Sequence, residues 1–215
     1  MSDNKTAGSS GGFGGMVKLG VILALYAAAA CVGLAFVYAG TEKVITQRQQ
    51  ADLETAIKEL FPQADDFSQI TGILSSNPAV TIEEDSTFEA IQNGKSIGAV
   101  LRASSASYGG EIKVLVGVGT DGTITGVKIL EHKDTPGLGA NAGSETYYVD
   151  RAKGIHFYDQ FTGKKAGDPF EPKQDVIAIT AATITSRAVA ASVKAAGEAA
   201  AAWFGTGAGS QGGTR

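Results

Sequence analysis

The chain has 215 residues, with 18 Lys and Arg against 22 Asp and Glu, one Cys and two His. One Cys cannot form an internal disulfide or a Cys-rich zinc or iron–sulfur site, and two His argue against a multi-His metal centre. The net charge of -4 argues against a nucleic-acid binder, which usually has a basic surface. We therefore expect no metal and no nucleic acid, so any redox chemistry must come from a bound organic cofactor.

An uncharged segment near the N-terminus predicts one transmembrane helix, because residues 19–41 contain no charged residue. At ~1.5 Å per residue, a helix of this length spans the ~30 Å hydrocarbon core of a bilayer. A cleaved signal peptide is the alternative, but this segment is longer than a typical signal-peptide core and continues directly into a helical pattern. Basic residues are equally frequent on both sides, so the charge pattern does not predict the orientation.

The segments around this helix differ in composition. Residues 1–18 and 205–215 include Gly- and Ser-rich sequence and are predicted to be a disordered N-terminus and a flexible tail. In residues 42–61 apolar side chains recur at helical spacing and Pro62 follows, which predicts a juxtamembrane helix. Residues 62–204 are then expected to form one globular domain.

Short β-branched segments in the middle of that domain predict a sheet. They cover Ser96–Ala103, Glu111–Gly119 and Thr123–Glu131. Asp121–Gly122 between the last two segments predicts a β-hairpin. Gly126 indicates a bulge or a close backbone approach.

Helices are predicted to follow the strands. Tyr147–Gln160 suggests a short helix, Phe161–Lys173 a loop or hairpin, and the Ala-rich sequence from Ser186 to Phe204 a long helix. The predicted fold class is α+β: one N-terminal transmembrane helix, then a small, mainly antiparallel sheet domain flanked by helices.

The first candidate site segment, EHKDTPGLG, follows a predicted strand. Pro136 fixes φ, and Gly137 and Gly139 permit positive φ or a close approach of the backbone to a ligand. A tight turn with charged neighbours is the simpler interpretation of this segment alone. His132 has no evident metal partner beyond Asp134, and an isolated His is more often a surface or hydrogen-bonded residue.

The second candidate segment is a cluster of three threonines, Thr180, Thr183 and Thr185, at the start of the last helix. Helix capping by Thr hydroxyls is the simpler interpretation, and the spacing alone favours it. The alternative is a phosphate site, because backbone N–H groups at a helix N-terminus bind anions. Two small residues in the segment, Ala181 and Ala182, would let a ligand approach closely.

The two segments, in this order behind a single transmembrane helix, resemble the membrane-tethered FMN-binding subunits of ion-pumping respiratory complexes. The chain resembles the G subunit of the Rnf ferredoxin:NAD oxidoreductase, which pumps sodium ions or protons, and the related C subunit of the sodium-pumping NADH:quinone oxidoreductase. The family motif His-x-Glu-Thr-Pro-Gly-Leu-Gly matches residues 132–139, with Asp134 in the Glu position. The motif Ser/Thr-Gly-Ala-Thr matches residues 180–183, with Ala181 in the Gly position. Together the two motifs are specific, whereas either alone is not.

This resemblance implies the cofactor and its site. In the family, the last Thr of the second motif is esterified to the FMN phosphate by a flavin transferase, and the matching residue is Thr183. Leu138 is implied to lie against the flavin face, and Thr135 or Gly139 near polar edges. A cationic partner for the flavin is left open among Lys164, Lys165 and Lys173. The full set of implied cofactor-binding residues is Thr183, Thr180, Ala181, Ala182, Thr185, His132, Thr135, Gly137, Leu138 and Gly139.

The resemblance also implies a function. The chain would be an electron-relay subunit that performs no acid–base catalysis, with other membrane subunits of the Rnf complex as partners. Its domain would lie on the periplasmic or outer side of the inner membrane, with the N-terminus in the cytoplasm. The alternatives are a structural or assembly subunit without flavin, a flavodomain of the quinone-reductase type in another respiratory complex, and a tethered flavodomain that serves a separate reductase or regulator.

Overall fold

The structure is a computed structural model that describes residues 13–206, and its contacts divide the chain after Ala51. Helix α1 covers Phe13–Leu60 and so includes this division. The helix is long and apolar enough to cross a membrane, and no residue of its most apolar stretch is buried. A core helix of a soluble protein would be largely buried, so this exposed apolar surface favours a membrane span.

The helical structure extends further toward both termini than predicted. Residues 13–18 belong to α1, so the disorder predicted for them is wrong, and residues 1–12 lie outside the described residues. Gly14 and Gly15 do not prevent the helix, because each costs only about 1 kcal/mol and a long helix follows. Gly205 ends the second helix rather than starting a tail, and residues 207–215 lie outside the described residues.

The part that begins at Asp52 is built on an antiparallel sheet. Its strands are β1 (Asp66–Gln69), β2 (Val80–Ile82), β3 (Phe88–Gln92), β4 (Lys95–Ala106), β5 (Glu111–Gly119) and β6 (Ile124–Glu131). The strand order is β1-β3-β4-β5-β6, and β2 pairs with the last residues of β4. The long strand β4 therefore holds the sheet together, since it pairs with β2, β3 and β5.

The predicted hairpin is confirmed, because β5 and β6 pair directly around Asp121–Gly122. Gly122 has φ +74°, and its N–H donates to the carbonyl oxygen of Gly119 over 2.9 Å. The three predicted strands correspond to β4, β5 and β6. The sequence did not indicate β1, β2 or β3, which are too short to establish an alternation of polar and apolar residues.

Both faces of the sheet are covered by helical residues. Successive side chains of a strand point to opposite faces. Leu101 and Val116 pack in one cluster with the second helix, α2 (Thr183–Gly205), whereas Val100 and Leu115 pack in another with the end of α1. Because each face is buried, residues 97–101 of β4 and 114–119 of β5 are apolar without interruption and show no alternation.

Three glycines on neighbouring strands make room for the residues that end α1. A Cβ added at Gly98 would overlap the Phe61 ring, and one at Gly126 would lie 2.7 Å from Leu60 Cδ2. Gly117, which pairs with Gly126, faces the same two side chains, and the pairing becomes irregular immediately beyond it. The bulge or close approach predicted at Gly126 corresponds to this irregular pairing and to the contact with Leu60. Gly98 and Gly117 leave space for Phe61, which is almost fully buried.

Helix α2 packs on the opposite face through small residues, which permits a close approach to the sheet. Its buried residues include Ala195, Ala196 and Ala199. Ser105 on β4 donates a hydrogen bond to the carbonyl oxygen of Ala188 over 3.1 Å, and the Ser192 hydroxyl donates to Ser105 over 2.9 Å. These buried bonds satisfy both hydroxyl groups and fix the position of α2 along β4.

The short helix predicted in Tyr147–Gln160 is wrong. The segment forms a two-stranded hairpin of β7 (Tyr148–Asp150) and β8 (Ile155–His156), followed by a short 3₁₀ helix over Asp159–Phe161. The hairpin is stabilised by side-chain stacking, since the Tyr148 and His156 rings lie 4.3 Å apart. Such cross-strand aromatic contacts outweigh a weak local helix preference.

The close packing of Leu60 and Phe61 against Gly98, Gly117 and Gly126 predicts a large effect of Gly98→Ala on stability. The added Cβ would lie 2.6 Å from the carbonyl oxygen of Val118 as well as against Phe61, and backbone cannot move aside cheaply. We expect the free energy of unfolding to fall by about 1–3 kcal/mol, measured by urea unfolding of the detergent-solubilised protein. Gly167→Ala is the matched control, because nothing lies within 4 Å of its added Cβ. Equal stability of the two variants would contradict the importance of close packing at Gly98.

Candidate FMN site at the start of helix α2

Three segments that are distant in sequence meet around a cavity of about 450 Å³. They are the turn after β4, the loop after β6 and the first turn of α2. Because β4 and β6 run in the same direction on either side of β5, their last residues lie at the same end of the sheet. The cavity is lined by Tyr108, Asp134, Thr135, Leu138, Gly139, Ala181, Ala182, Thr183, Ile184 and Thr185.

Asp134 joins the first two of these segments. Its carboxylate is buried and accepts two hydrogen bonds of 2.6 Å, from the Ser107 hydroxyl and from the Gly109 N–H. The Thr185 hydroxyl makes no hydrogen bond of regular geometry within residues 13–206, yet it lies close enough to favour the charged carboxylate. Burial by itself would raise the pKa of Asp134, but these donors outweigh it and hold the pKa below its usual value. The carboxylate is therefore ionised at neutral pH.

The loop after β6 lies directly against α2. A Cβ at Gly139 would be 2.5 Å from the Thr185 hydroxyl oxygen and 2.7 Å from the Asp134 Cβ, so only Gly fits there. Within the loop, the N–H groups of Leu138 and Ala140 both donate to the carbonyl oxygen of Thr135. This turn leaves the Leu138 side chain exposed at the cavity although it is apolar.

The start of α2 has a backbone arranged by Ala181, Ala182 and Ser186. Ala181 has φ +59°, a left-handed conformation that Gly adopts more readily than Ala. Ser186 is buried and bridges the turn, since its hydroxyl accepts from the Ile179 N–H and donates to the Ala182 carbonyl oxygen. The N–H of Ser186 makes the first hydrogen bond of the helix, to Ala182.

The next three residues of this turn present polar groups to the cavity. The N–H groups of Thr183, Ile184 and Thr185 have no acceptor within residues 13–206, as expected for the first turn of a helix. Thr183 is exposed, whereas the Thr185 hydroxyl is buried without a regular partner in the described chain. These N–H groups and hydroxyls form a suitable site for a phosphate group.

Three of the predicted site residues do not line the cavity. Gly137 is exposed on the loop with φ +78°, where Gly is the favoured residue. His132 is half-buried beside Asp134, and the N–H of Thr180 donates to the Tyr147 hydroxyl over 3.4 Å. The other predicted residues, namely Thr135, Leu138, Gly139, Ala181, Ala182, Thr183 and Thr185, do line it.

Sequence reasoning missed three lining residues: Tyr108, Asp134 and Ile184. Tyr108 lies in a Ser- and Gly-rich turn that carries no recognisable motif. Asp134 and Ile184 lie in or next to the two motifs, but only the structure shows that both side chains line the cavity. Tyr108, Leu138 and Ile184 are large and exposed, and together they give the cavity an apolar rim.

The three lysines considered as cationic partners lie outside the cavity lining. Lys164 pairs with Asp175 over 3.0 Å, and Lys165 pairs with Asp121 over 2.7 Å. Lys173 is exposed and has φ +75°. The positive electrostatic contribution at the cavity therefore comes from the N-terminus of α2 rather than from these side chains.

The residues fit an FMN molecule. The cavity volume lies in the usual range for small-molecule sites, its rim is apolar enough for a flavin ring, and the start of α2 supplies N–H groups for the phosphate. Residues 107–198 match the FMN-binding domain family, and residues 15–60 match the RnfG N-terminal region family. With helix α1, these findings define a membrane protein that carries an FMN-binding domain.

Similar proteins identify the family more closely. The chain is 33% identical over 191 residues to the G subunit of the Na(+)-translocating ferredoxin:NAD(+) oxidoreductase complex of Acetobacterium woodii, covering 82% of this chain and 87% of the relative. It is 34% identical over 170 residues to the G subunit of the proton-translocating complex of Clostridium ljungdahlii, covering 77% and 80%. The chain belongs to the family of G subunits of ion-translocating oxidoreductase (Rnf) complexes, which are multi-subunit electron-transport complexes of the membrane.

Solved structures are also similar to this chain. The crystal structure of Shewanella oneidensis NqrC matches with a TM-score of 0.39 and 19% sequence identity, over 67% of each chain. A likeness this distant says nothing further about the chain.

The left-handed conformation of Ala181 predicts an unusual effect of a glycine substitution. Ala181→Gly should leave the free energy of unfolding unchanged or raise it by up to about 1 kcal/mol, because Gly avoids the strain of positive φ. Ala191→Gly is the control, since it lies inside α2 and should lower stability by about 1 kcal/mol. Urea unfolding in detergent measures both. A loss at Ala181 as large as at Ala191 would contradict the strain argument.

The Asp175 network predicts a pH-dependent contribution to stability. Burial would raise the pKa of Asp175, but hydrogen bonds from Lys164, Glu171 and Phe170 outweigh this and lower it. The stabilisation is therefore complete above the unfolded pKa of about 3.9 and is lost as the pH falls below it. Asp175→Asn should destabilise the protein near pH 7, and its difference from the wild type should shrink below about pH 4.

Unfolding temperatures across the pH range measure this effect. Glu145→Gln is the control, because Glu145 is exposed and outside the Asp175 network, and it should change stability little at any pH. A constant difference between Asp175→Asn and the wild type from pH 7 to pH 3 would contradict the prediction.

Proposed function

We propose that the chain relays electrons through an FMN attached covalently to Thr183, as the G subunit of an ion-translocating ferredoxin:NAD oxidoreductase. The observation that carries this proposal is the position of Thr183. It is the first residue of α2, it is exposed, and it lines a cavity with an apolar rim beside unpaired N–H groups. A phosphoester at this hydroxyl would place the phosphate against those N–H groups.

The neighbouring threonines are less suitable as acceptors. Thr185 is buried, so an external flavin transferase could not reach its hydroxyl without unfolding the turn. Thr180 is exposed but does not line the cavity. Of the three threonines around the start of α2, Thr183 is therefore the one that is both accessible to an enzyme and next to the cavity.

The apolar rim supports a flavin ring in the same cavity. Tyr108, Leu138 and Ile184 come from three different segments, and in a water-soluble domain such exposed apolar groups mark a binding site. Bound FMN supplies the electron-transfer chemistry, while the chain supplies attachment, orientation and an electrostatic environment. No acid–base group of the chain is needed for the relay.

The membrane context supports the partners and the location in this proposal. The relatives are subunits of Na(+)- or proton-translocating ferredoxin:NAD(+) oxidoreductase complexes, so the electron donor and acceptor are expected among the other membrane subunits. We place the domain on the extracytoplasmic side, with residues 19–41 in the membrane and residues 62–204 as the FMN-binding domain. A covalent link suits this location, because a cofactor released outside the cytoplasm would be lost.

The covalent link can be tested by co-expressing the full chain with a flavin transferase and imaging flavin fluorescence on a denaturing gel. We expect a fluorescent band for the wild type, because only a covalent flavin survives denaturation. Thr183→Val should abolish the band by removing the acceptor hydroxyl at nearly constant volume.

Thr180→Val is the matched control and should keep the band, because its hydroxyl lies outside the cavity lining. Fluorescence in Thr183→Val but not in Thr180→Val would contradict the assignment of the acceptor. A well-expressed wild type without fluorescence would overturn the covalent relay and favour a structural subunit.

A further inference from the structure

A buried, ionised carboxylate lies in the cavity that we assign to the flavin, and the relay does not use it. Asp134 is 6% exposed and is one of the lining residues. Its two oxygens accept short hydrogen bonds from Ser107 and Gly109. Because its pKa is lowered, it keeps its negative charge over the physiological pH range.

The surroundings of Asp134 do not neutralise this charge. Its direct partners are a hydroxyl and a backbone N–H, which are neutral dipoles, and it makes no ion pair with a Lys or Arg within residues 13–206. His132 also lowers the pKa of Asp134, but its attraction is weaker than the effect of the hydrogen bonds. In a partly desolvated and mostly apolar cavity, an unpaired charge acts over a longer distance than it would in water.

We infer that the Asp134 carboxylate lowers the reduction potential of the flavin held in this cavity. This inference rests on the proposed flavin site. Reduction adds electron density to the flavin ring, and a fixed negative charge at the cavity wall opposes it. Charges near the ring are one of the ways in which a protein tunes a flavin.

A purely structural role for Asp134 makes a different prediction. The carboxylate holds the Ser107–Gly109 turn beside the loop that carries Gly139, so its loss would also loosen the site. Loosening predicts lower stability and weaker flavin fluorescence, but no shift of potential in a set direction. The reduction potential therefore separates the electrostatic role from the structural one.

The test is a redox titration at pH 7.5 of the full chain in detergent, loaded with flavin by the transferase. Asp134→Asn removes the charge at nearly constant size and should shift the potential to a more positive value. Asp134→Glu keeps the charge and should leave the potential close to that of the wild type. Asp175→Asn is the matched control, because Asp175 is also hydrogen-bonded but does not line the cavity, so the potential should not change.

A second variant keeps the test decisive if Asp134→Asn fails to take up flavin. Ser107→Ala removes one donor from the carboxylate and leaves its charge less compensated, so the potential should become more negative than in the wild type. An unchanged potential in Asp134→Asn overturns the inference, and so does an unchanged potential in Ser107→Ala when Asp134→Asn is colourless.

Flavin fluorescence on a denaturing gel separates this outcome from a failure of the proposed function. A fluorescent wild type with unshifted potentials in the variants rejects only the role of Asp134. A colourless wild type rejects the flavin site itself and the inference with it.

Discussion

The packing of α2 against strand β4 is the interaction on which the rest of the domain depends. Buried alanines let the helix lie close to the sheet, and the bonds among Ser105, Ala188 and Ser192 fix its position along the strand. A shift of one helical turn, about 5.4 Å, would separate the start of α2 from the loops after β4 and β6. The position of the cofactor site is therefore set by contacts in the core rather than by the residues that line it.

The site itself combines a rigid frame with exposed reactive groups. Gly139 packs closely against Thr185, and the Ser186 hydroxyl bridges the turn before α2, so both parts of the frame are held by contacts. Thr183 and Leu138 instead remain exposed. This division suits the proposed attachment of FMN by another protein after folding, because Thr183 is accessible while the geometry around it is already determined.

Local signals in the sequence were sufficient for the β5–β6 hairpin, the strand β4 and the Ala-rich helix α2. These signals were insufficient where residues distant in sequence determine the burial or the local structure of a segment. From the sequence, Asp134 is expected to be a charged residue of an exposed turn, and only the donors from the turn after β4 explain its burial. Tyr108 carried no signal at all, and aromatic stacking across β7 and β8 overrode the helix predicted near Tyr147. The two candidate segments were recognised, but their meeting at one cavity followed only from the family resemblance.

The row of Gly98, Gly117 and Gly126 has a practical consequence for producing the domain without its membrane segment. Phe61 and Leu60 fill the space that these glycines leave, and Ile57 and Ala56 from the preceding turn belong to the same hydrophobic cluster. A shortened chain that begins at Asp52 keeps all of these side chains and hence the cover of that face of the sheet. A chain that begins at Pro62 loses them and exposes Val100 and Leu115 to water, which favours aggregation over a soluble flavodomain.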